Sequence, residues 1–307
     1  MILLNSDIFS RLKNEFDNFS RNLEHSIFNY VFLNGNRQEI KKELKKYINT
    51  DGGFGKGLEP DFQLLFSSAT ATSMGMRYAY KYLAREDAKE IVESASIFLK
   101  KTFNKEQMRW FSVPKEVNDF AHAPWWTYRD DIEMSVIDYS WGNPTAEIIG
   151  YLYNFDIKID DFSSEDLLEI AIEKFNKKKE YKSEHEVFCY IRLYNLLPEN
   201  QAEKLRESIT EAIDQLLCRD YKRWRNEYLP KPLDFIKAPS ENHFNIQDDL
   251  IQKNLDLYEE QIKNNTFISP TWEWGSYPDD WERSKKQWTG ILTLNSLITL
   301  KNFNRLK

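Results

Sequence analysis

Cysteine is nearly absent. The two thiols, Cys189 and Cys218, stand alone without neighbours at metal-ligand spacing, which excludes a zinc finger and argues against a disulfide framework. No stretch approaches the roughly 18 consecutive apolar residues of a transmembrane helix. The opening MILLNSDIFS has only a short apolar run and no basic flank, so it does not read as a signal peptide. No membrane span is expected, and the cytoplasm is the expected location. Positive charge is also short, with 42 Lys and Arg against 49 Asp and Glu and a net charge of −7. A chain with this balance offers no overall electrostatic footprint for nucleic acid. Glycine and proline number ten each, few enough that their clustering carries information.

What is abundant is aromatic. Phe, Trp and Tyr make up 15% of the residues, within a composition of 41% hydrophobic and 30% charged that is globular rather than disordered. Rings in such number fill a core or line a cavity. The apolar residues recur at helical spacing almost throughout. Ile8, Leu12, Phe16, Phe19, Leu23 and Ile27 form one stripe, with Asn5 or Ser6 as its cap. Lys41 to Ile48 and Ser67 to Leu83 are further helices, the second rich in Ala, Ser and Gly and so suited to lie among other helices. Asn143-Pro144 reads as an N-cap followed by proline in the first turn, and Ser183 with Glu186 as a capping box. Residues 104–142 break the pattern with a long aromatic-rich connection, residues 221–244 read as loop, and residues 264–288 form a last loop before a final helix. Ten to twelve helices and no convincing strand give an all-α chain of antiparallel hairpins.

Between the second and third of these helices lies Asp51-Gly52-Gly53-Phe54-Gly55, running on through Gly57-Leu58-Glu59-Pro60-Asp61 and holding four of the ten glycines. A ring flanked by glycines suggests a side chain tucked where backbone passes close by. A looser form recurs: Phe98-Leu99 and Phe103 before Trp110, Leu216-Leu217 and Tyr221 before Trp224, and Gln261-Ile262 and Phe267 before Trp272-Glu273-Trp274-Gly275. Each is a helix end, a polar turn, then an aromatic. Asn49, Asp51 to Gly55 and Gly57, with the small-residue helix after them, resemble the repeat of terpenoid cyclases of the squalene–hopene type and of protein prenyltransferase β-subunits. Trp272, Trp274 and Gly275, followed by Trp288-Thr289-Gly290, look like a diverged last copy. The specific match spans about thirty residues. The resemblance implies a single-domain α/α toroid over 1–307, a double ring of antiparallel helices around a central cavity. It does not carry the activity across. The Asp-x-Asp-Asp acid motif of the cyclases is missing, and neither cysteine opens a zinc-ligand set like that of the prenyltransferases.

Chemistry-bearing residues gather in the loops. Glu59 and Asp61 stand at the entrance to the small-residue helix, where the plain reading is favourable interaction with its N-terminus. The functional reading is an acid whose apolar surroundings let it give up a proton. Asp131, from the run Arg129-Asp130-Asp131, would complete a carboxylate pair of the kind glycoside hydrolysis uses. His122, beside Trp125 and Trp126, is an acid–base candidate, and His243 is a second. Trp125, Trp126, Trp141 and Trp281 are candidate ligand-contacting rings, whereas Trp110, Trp224 and Trp274 occupy repeat positions and are expected to stitch loop to helix. No metal site is expected. Asp130 with Asp131 is the pair that would hold magnesium if the ligand were a diphosphate, and no other cofactor is implied. Residues 240–282 hold ten acids against two lysines, a poor place to capture diphosphate. Three functions stay open. The first is an enzyme, or a descendant of one, binding an apolar or isoprenoid-like small molecule. The second is a carbohydrate-active toroid with paired carboxylates and stacked tryptophans. The third is a non-enzymatic barrel that binds a protein.

Overall fold

The computed structural model describes residues 6–306. The chain is mostly helical, 59% helix against 4% strand, with twelve α-helices among the described residues. It packs as two compact units. One is formed by residues 37–215 with 274–277, the other by the N-terminal 36 residues with 216–273 and 278–307.

The first unit contains α3 (Arg37–Lys45), α4 (Ala69–Tyr82), α5 (Arg85–Thr102), α6 (Thr145–Asn154), α7 (Ser164–Asn176), α8 (Glu184–Leu196) and α9 (Glu199–Leu216). Helix α6 packs against both α4 and α8, so these three form a central row, and α3, α5 and α7 flank it. The composition of α4 explains its place. Ala71, Ser73, Gly75 and Ala79 are all buried, and small side chains let neighbours approach on several sides. Ser68 caps α4 by accepting from the Ala71 amide at 3.1 Å, and Ser163 caps α7 in a full capping box with Asp166. At Ser183 only the forward half forms, Glu186 N donating to Ser183 Oγ at 3.3 Å. Pro144, expected in the first turn of α6, sits one residue before it as the cap, with no side-chain cap bond from itself.

The 104–142 connection is ordered by polar contacts around one carboxylate. Asp138, 1% exposed, accepts from Ser112 N at 2.7 Å, Ser112 Oγ at 2.9 Å and Ser135 Oγ at 2.8 Å. Arg109 donates to its backbone oxygen at 2.7 Å. A two-residue antiparallel ribbon, β1 (Tyr128–Arg129) with β2 (Met134–Ser135), lies in this connection. The sequence shows no such strand, because two residues are too few to show a period of two.

The second unit contains α1 (Ser6–Phe19), α2 (Asn22–Phe32), α10 (Pro232–Phe235), α11 (Asp248–Asn265) and α12 (Pro278–Asn302), with α12 packed against α1, α2 and α11. The single N-terminal stripe of the sequence is here two helices. Arg21 leaves the helical path, with φ −81° and ψ 161°, and makes a two-pronged pair with buried Glu24 at 2.7 Å through each nitrogen. At the same break a Cβ on Gly290 of α12 would meet Phe19 O at 2.8 Å, so the crossing needs glycine. The candidate cap Asn5 and the Ile8 side chain lie outside the described residues. The loop expected over 264–288 ends at residue 277, so the final helix starts eleven residues earlier than expected. Pro278, Asp279 and Asp280 open it, which is the proline-and-acid signature of a first turn, and this places Trp281 and Trp288 on a helix. Within the stretch read as loop, Pro232 likewise opens the short α10.

Candidate functional site

The glycine loop is a fastening. Asp51 Oδ1 accepts from Gly53 N at 3.0 Å and from Ser67 Oγ at 2.7 Å, while Asn49 donates to Leu65 O at 3.0 Å. Phe54 is fully buried, its amide donates to Thr72 Oγ1 at 3.0 Å, and its ring lies against Gly75 of α4. The second copy repeats the device. Trp110, also fully buried, donates its amide to Thr145 Oγ1 of α6 at 3.1 Å and its indole N–H to Leu99 O of α5 at 2.8 Å. Trp224 donates its indole N–H to Cys218 O at 2.9 Å. These rings join helix ends to loops.

Beyond the loop, three segments distant in sequence meet. Residues 61–63 pair with 121–123 in antiparallel fashion, Ala123 N donating to Asp61 O at 2.8 Å and Gln63 N to Ala121 O at 2.8 Å. This sets Phe62 opposite His122. The third segment, 274–277, supplies Trp274, whose indole N–H donates to Asp61 Oδ1 at 2.9 Å, and Tyr277, whose ring lies 5.9 Å from that of His122. Glu59, Asp61 and His122 are all buried, and the Glu59 carboxylate accepts from the Asp61 amide at 3.1 Å. Asp61 thus gives its backbone oxygen to the pairing and its carboxylate to Trp274. Both acids take part in hydrogen bonds of the loop and of Trp274.

His122 has a defined geometry. Its Nδ1 lies 2.7 Å from Phe120 O and its Nε2 3.0 Å from Thr127 Oγ1. A carbonyl only accepts, which assigns the proton to Nδ1, and in the neutral ring Nε2 then accepts from the Thr127 hydroxyl. Thr127 and Trp125 are half-buried, whereas Trp126 is buried against Phe62 with ring centroids 5.2 Å apart. Tyr277 and Phe66 are exposed, and Phe66 meets Phe120, two residues before His122, edge-on at 5.8 Å.

Asp130 pairs with Lys115 at 3.0 Å and Asp131 with Arg129 at 2.5 Å, all on the surface. The Arg129 hydrogen bond lowers the Asp131 carboxyl below its ordinary range, the opposite of what a proton-donating acid needs. Among the described residues no group of three or more His, Cys, Asp or Glu side chains could hold a metal ion. Trp141 donates its indole N–H to Gln107 O at 3.0 Å. His243 and Trp281 belong to the second unit. There His243 Nδ1 stands 3.7 Å from Asp248, and Trp281 is buried on α12.

One charged cluster lies outside every sequence candidate. Glu147 of α6 is fully buried. Arg77 of α4 grips it with Nε at 2.6 Å and Nη2 at 2.7 Å, Arg192 of α8 with Nη1 at 3.0 Å, and the Tyr151 hydroxyl donates to it at 3.0 Å. Burial pushes the Glu147 carboxyl up, but Arg192 and Arg77 outweigh it and hold the group down at about 2. Burial, then the Glu147 charge, pushes the neighbouring Cys189 thiol up to about 12, so it stays protonated and unreactive. The signal for this cluster was present in the sequence as isolated charges inside otherwise apolar helical runs, Arg77, Glu147 and Arg192. Such residues need partners when buried.

No family model, curated protein or solved structure matches the chain.

Proposed function

We propose that the chain is an enzyme-like α/α toroid, of the terpenoid cyclase and prenyltransferase kind, that binds an apolar, isoprenoid-like small molecule beside His122. The observation that carries the reading is the His122–Thr127 pair, an imidazole of assigned tautomer whose Nε2 accepts from the hydroxyl of half-buried Thr127, with the exposed Tyr277 ring 5.9 Å away. An exposed aromatic ring suits contact with an apolar ligand, and an oriented imidazole suits proton transfer. In this reading His122 moves the proton, Trp125 contacts the ligand, and Glu59 and Asp61 hold the loop in place.

Thermal melting with farnesol, a neutral isoprenoid, against cello-oligosaccharides tests it, because a ligand that binds the folded state alone raises the melting temperature. Farnesol is expected to stabilise the protein and to lose that effect in Trp125→Ala. Stabilisation by the oligosaccharide alone would move the assignment to a carbohydrate-active toroid. A melting point unmoved by either would sink both.

A further inference from the structure

The Arg77–Glu147–Arg192 cluster has more cation than its own carboxylate needs. The two guanidinium groups carry two positive charges against one negative charge on Glu147. Glu147 is wholly buried, whereas the Arg77 and Arg192 side chains are 35% and 34% exposed. The carboxylate is thus on the inside and the cations reach solvent. Their hydrogen-bonding capacity is only partly used. Arg77 donates through Nε and Nη2, and Arg192 through Nη1. Among the described residues Nη1 of Arg77 and both Nε and Nη2 of Arg192 have no hydrogen-bond partner. The grip of Glu147 fixes both forks across α4, α6 and α8, so little side-chain freedom is left to lose on binding. Planar guanidinium forks match the paired oxygens of carboxylates and phosphates. Three residues beyond Arg77 on α4, Tyr80 is 39% exposed, with its ring 5.8 Å from Tyr151 and 6.3 Å from Phe155, a flat apolar surface next to the charge.

A purely structural role accounts poorly for this layout. A buried ion pair is seldom more stabilising than apolar packing of the same volume, and although both arginines hold the Glu147 charge, each keeps donors that this carboxylate does not use. In a chain of net charge −7, a half-exposed arginine pair on a central row of helices is a local exception.

We propose that Arg77 and Arg192, locked on Glu147, form a binding site for the oxyanion of a small molecule, a phosphoryl or carboxylate group, with Tyr80 against the body of the ligand. The site is independent of the His122 reading. Titration calorimetry and thermal melting with inorganic pyrophosphate and with citrate, against sodium chloride at matched ionic strength, test it. Saturable binding of one of the two is expected, raising the melting temperature by on the order of 5 °C at a hundred times Kd, and the arm that binds tells phosphoryl from carboxylate. Arg192→Gln is expected to weaken binding at least tenfold, Arg192→Lys less, while any farnesol response stays as in the wild type. Neither anion exceeding the salt control, or Arg192→Gln binding as tightly as the wild type, overturns the proposal. Should Arg192→Gln fail to fold, the arginine Nε–H resonances of the wild-type protein decide. Shifts at Arg77 and Arg192 on titration with the two anions support the site, and unmoved resonances overturn it.

Discussion

Replacing Gly75 by alanine sets two physical effects against each other. In an ordinary helix interior the change stabilises by about 1 kcal/mol, since glycine gives up more backbone freedom than alanine. Here a Cβ would stand 2.5 Å from Cδ1 and Cε1 of Phe54, about 1 Å inside ordinary carbon contact. Phe54 has little room to yield. Its amide is bound by Thr72 at 3.0 Å, and the next residue, Gly55, is bound by Tyr47 O at 3.1 Å. Overpacking a tight core costs about 1–3 kcal/mol, and a ring pinned at its backbone puts the cost near the upper end. The net expectation is a loss of about 2 kcal/mol, some 30-fold faster opening of α4 in native-state amide hydrogen exchange. Adding Phe54→Leu should recover part of this, with a coupling of about 1 kcal/mol between the two changes. A Gly75→Ala protein whose α4 amides exchange more slowly than wild type would refute the account of the glycine loop as a ring wedged beneath a close-packed helix.

Other outcomes follow from the buried groups. Glu147, held at about 2 against an ordinary 4.5, contributes stability that is complete above about pH 4.5 and fades as the pH falls towards 2. The sign follows from a depressed carboxyl, which the unfolded chain protonates first. The stability difference between wild type and Glu147→Gln should therefore shrink by up to about 3 kcal/mol across that window, as read by urea midpoints at a series of pH values, and a pH-independent difference would contradict it. Trp110 and Trp126 are both buried, but the Trp110 indole N–H reaches Leu99 O at 2.8 Å whereas that of Trp126 has no partner among the described residues. Trp110→Phe should cost about 1–2 kcal/mol more than Trp126→Phe, and equal denaturation midpoints would count against these assignments.

The sequence alone determined the helical class, most helix limits and the fastening loops, because those are local matters. Apolar spacing marks a buried face, Ser68 and Ser163 supply caps, and the glycines around Phe54 permit a ring to lie under backbone. It also marked Trp110 and Trp224 as structural through their place in the repeat. What needed the tertiary structure were contacts between residues far apart in the chain. The break at Arg21 depends on Glu24 and on the approach of Gly290. Asp61 is taken up by Trp274, some two hundred residues on, and its backbone is held by the pairing of 61–63 with 121–123. The joining of Arg77, Glu147 and Arg192 depends on which helices lie side by side. Periodicity tells which face of a helix is buried, not what it is buried against, so a lone charge in an apolar run announces a partner without naming it.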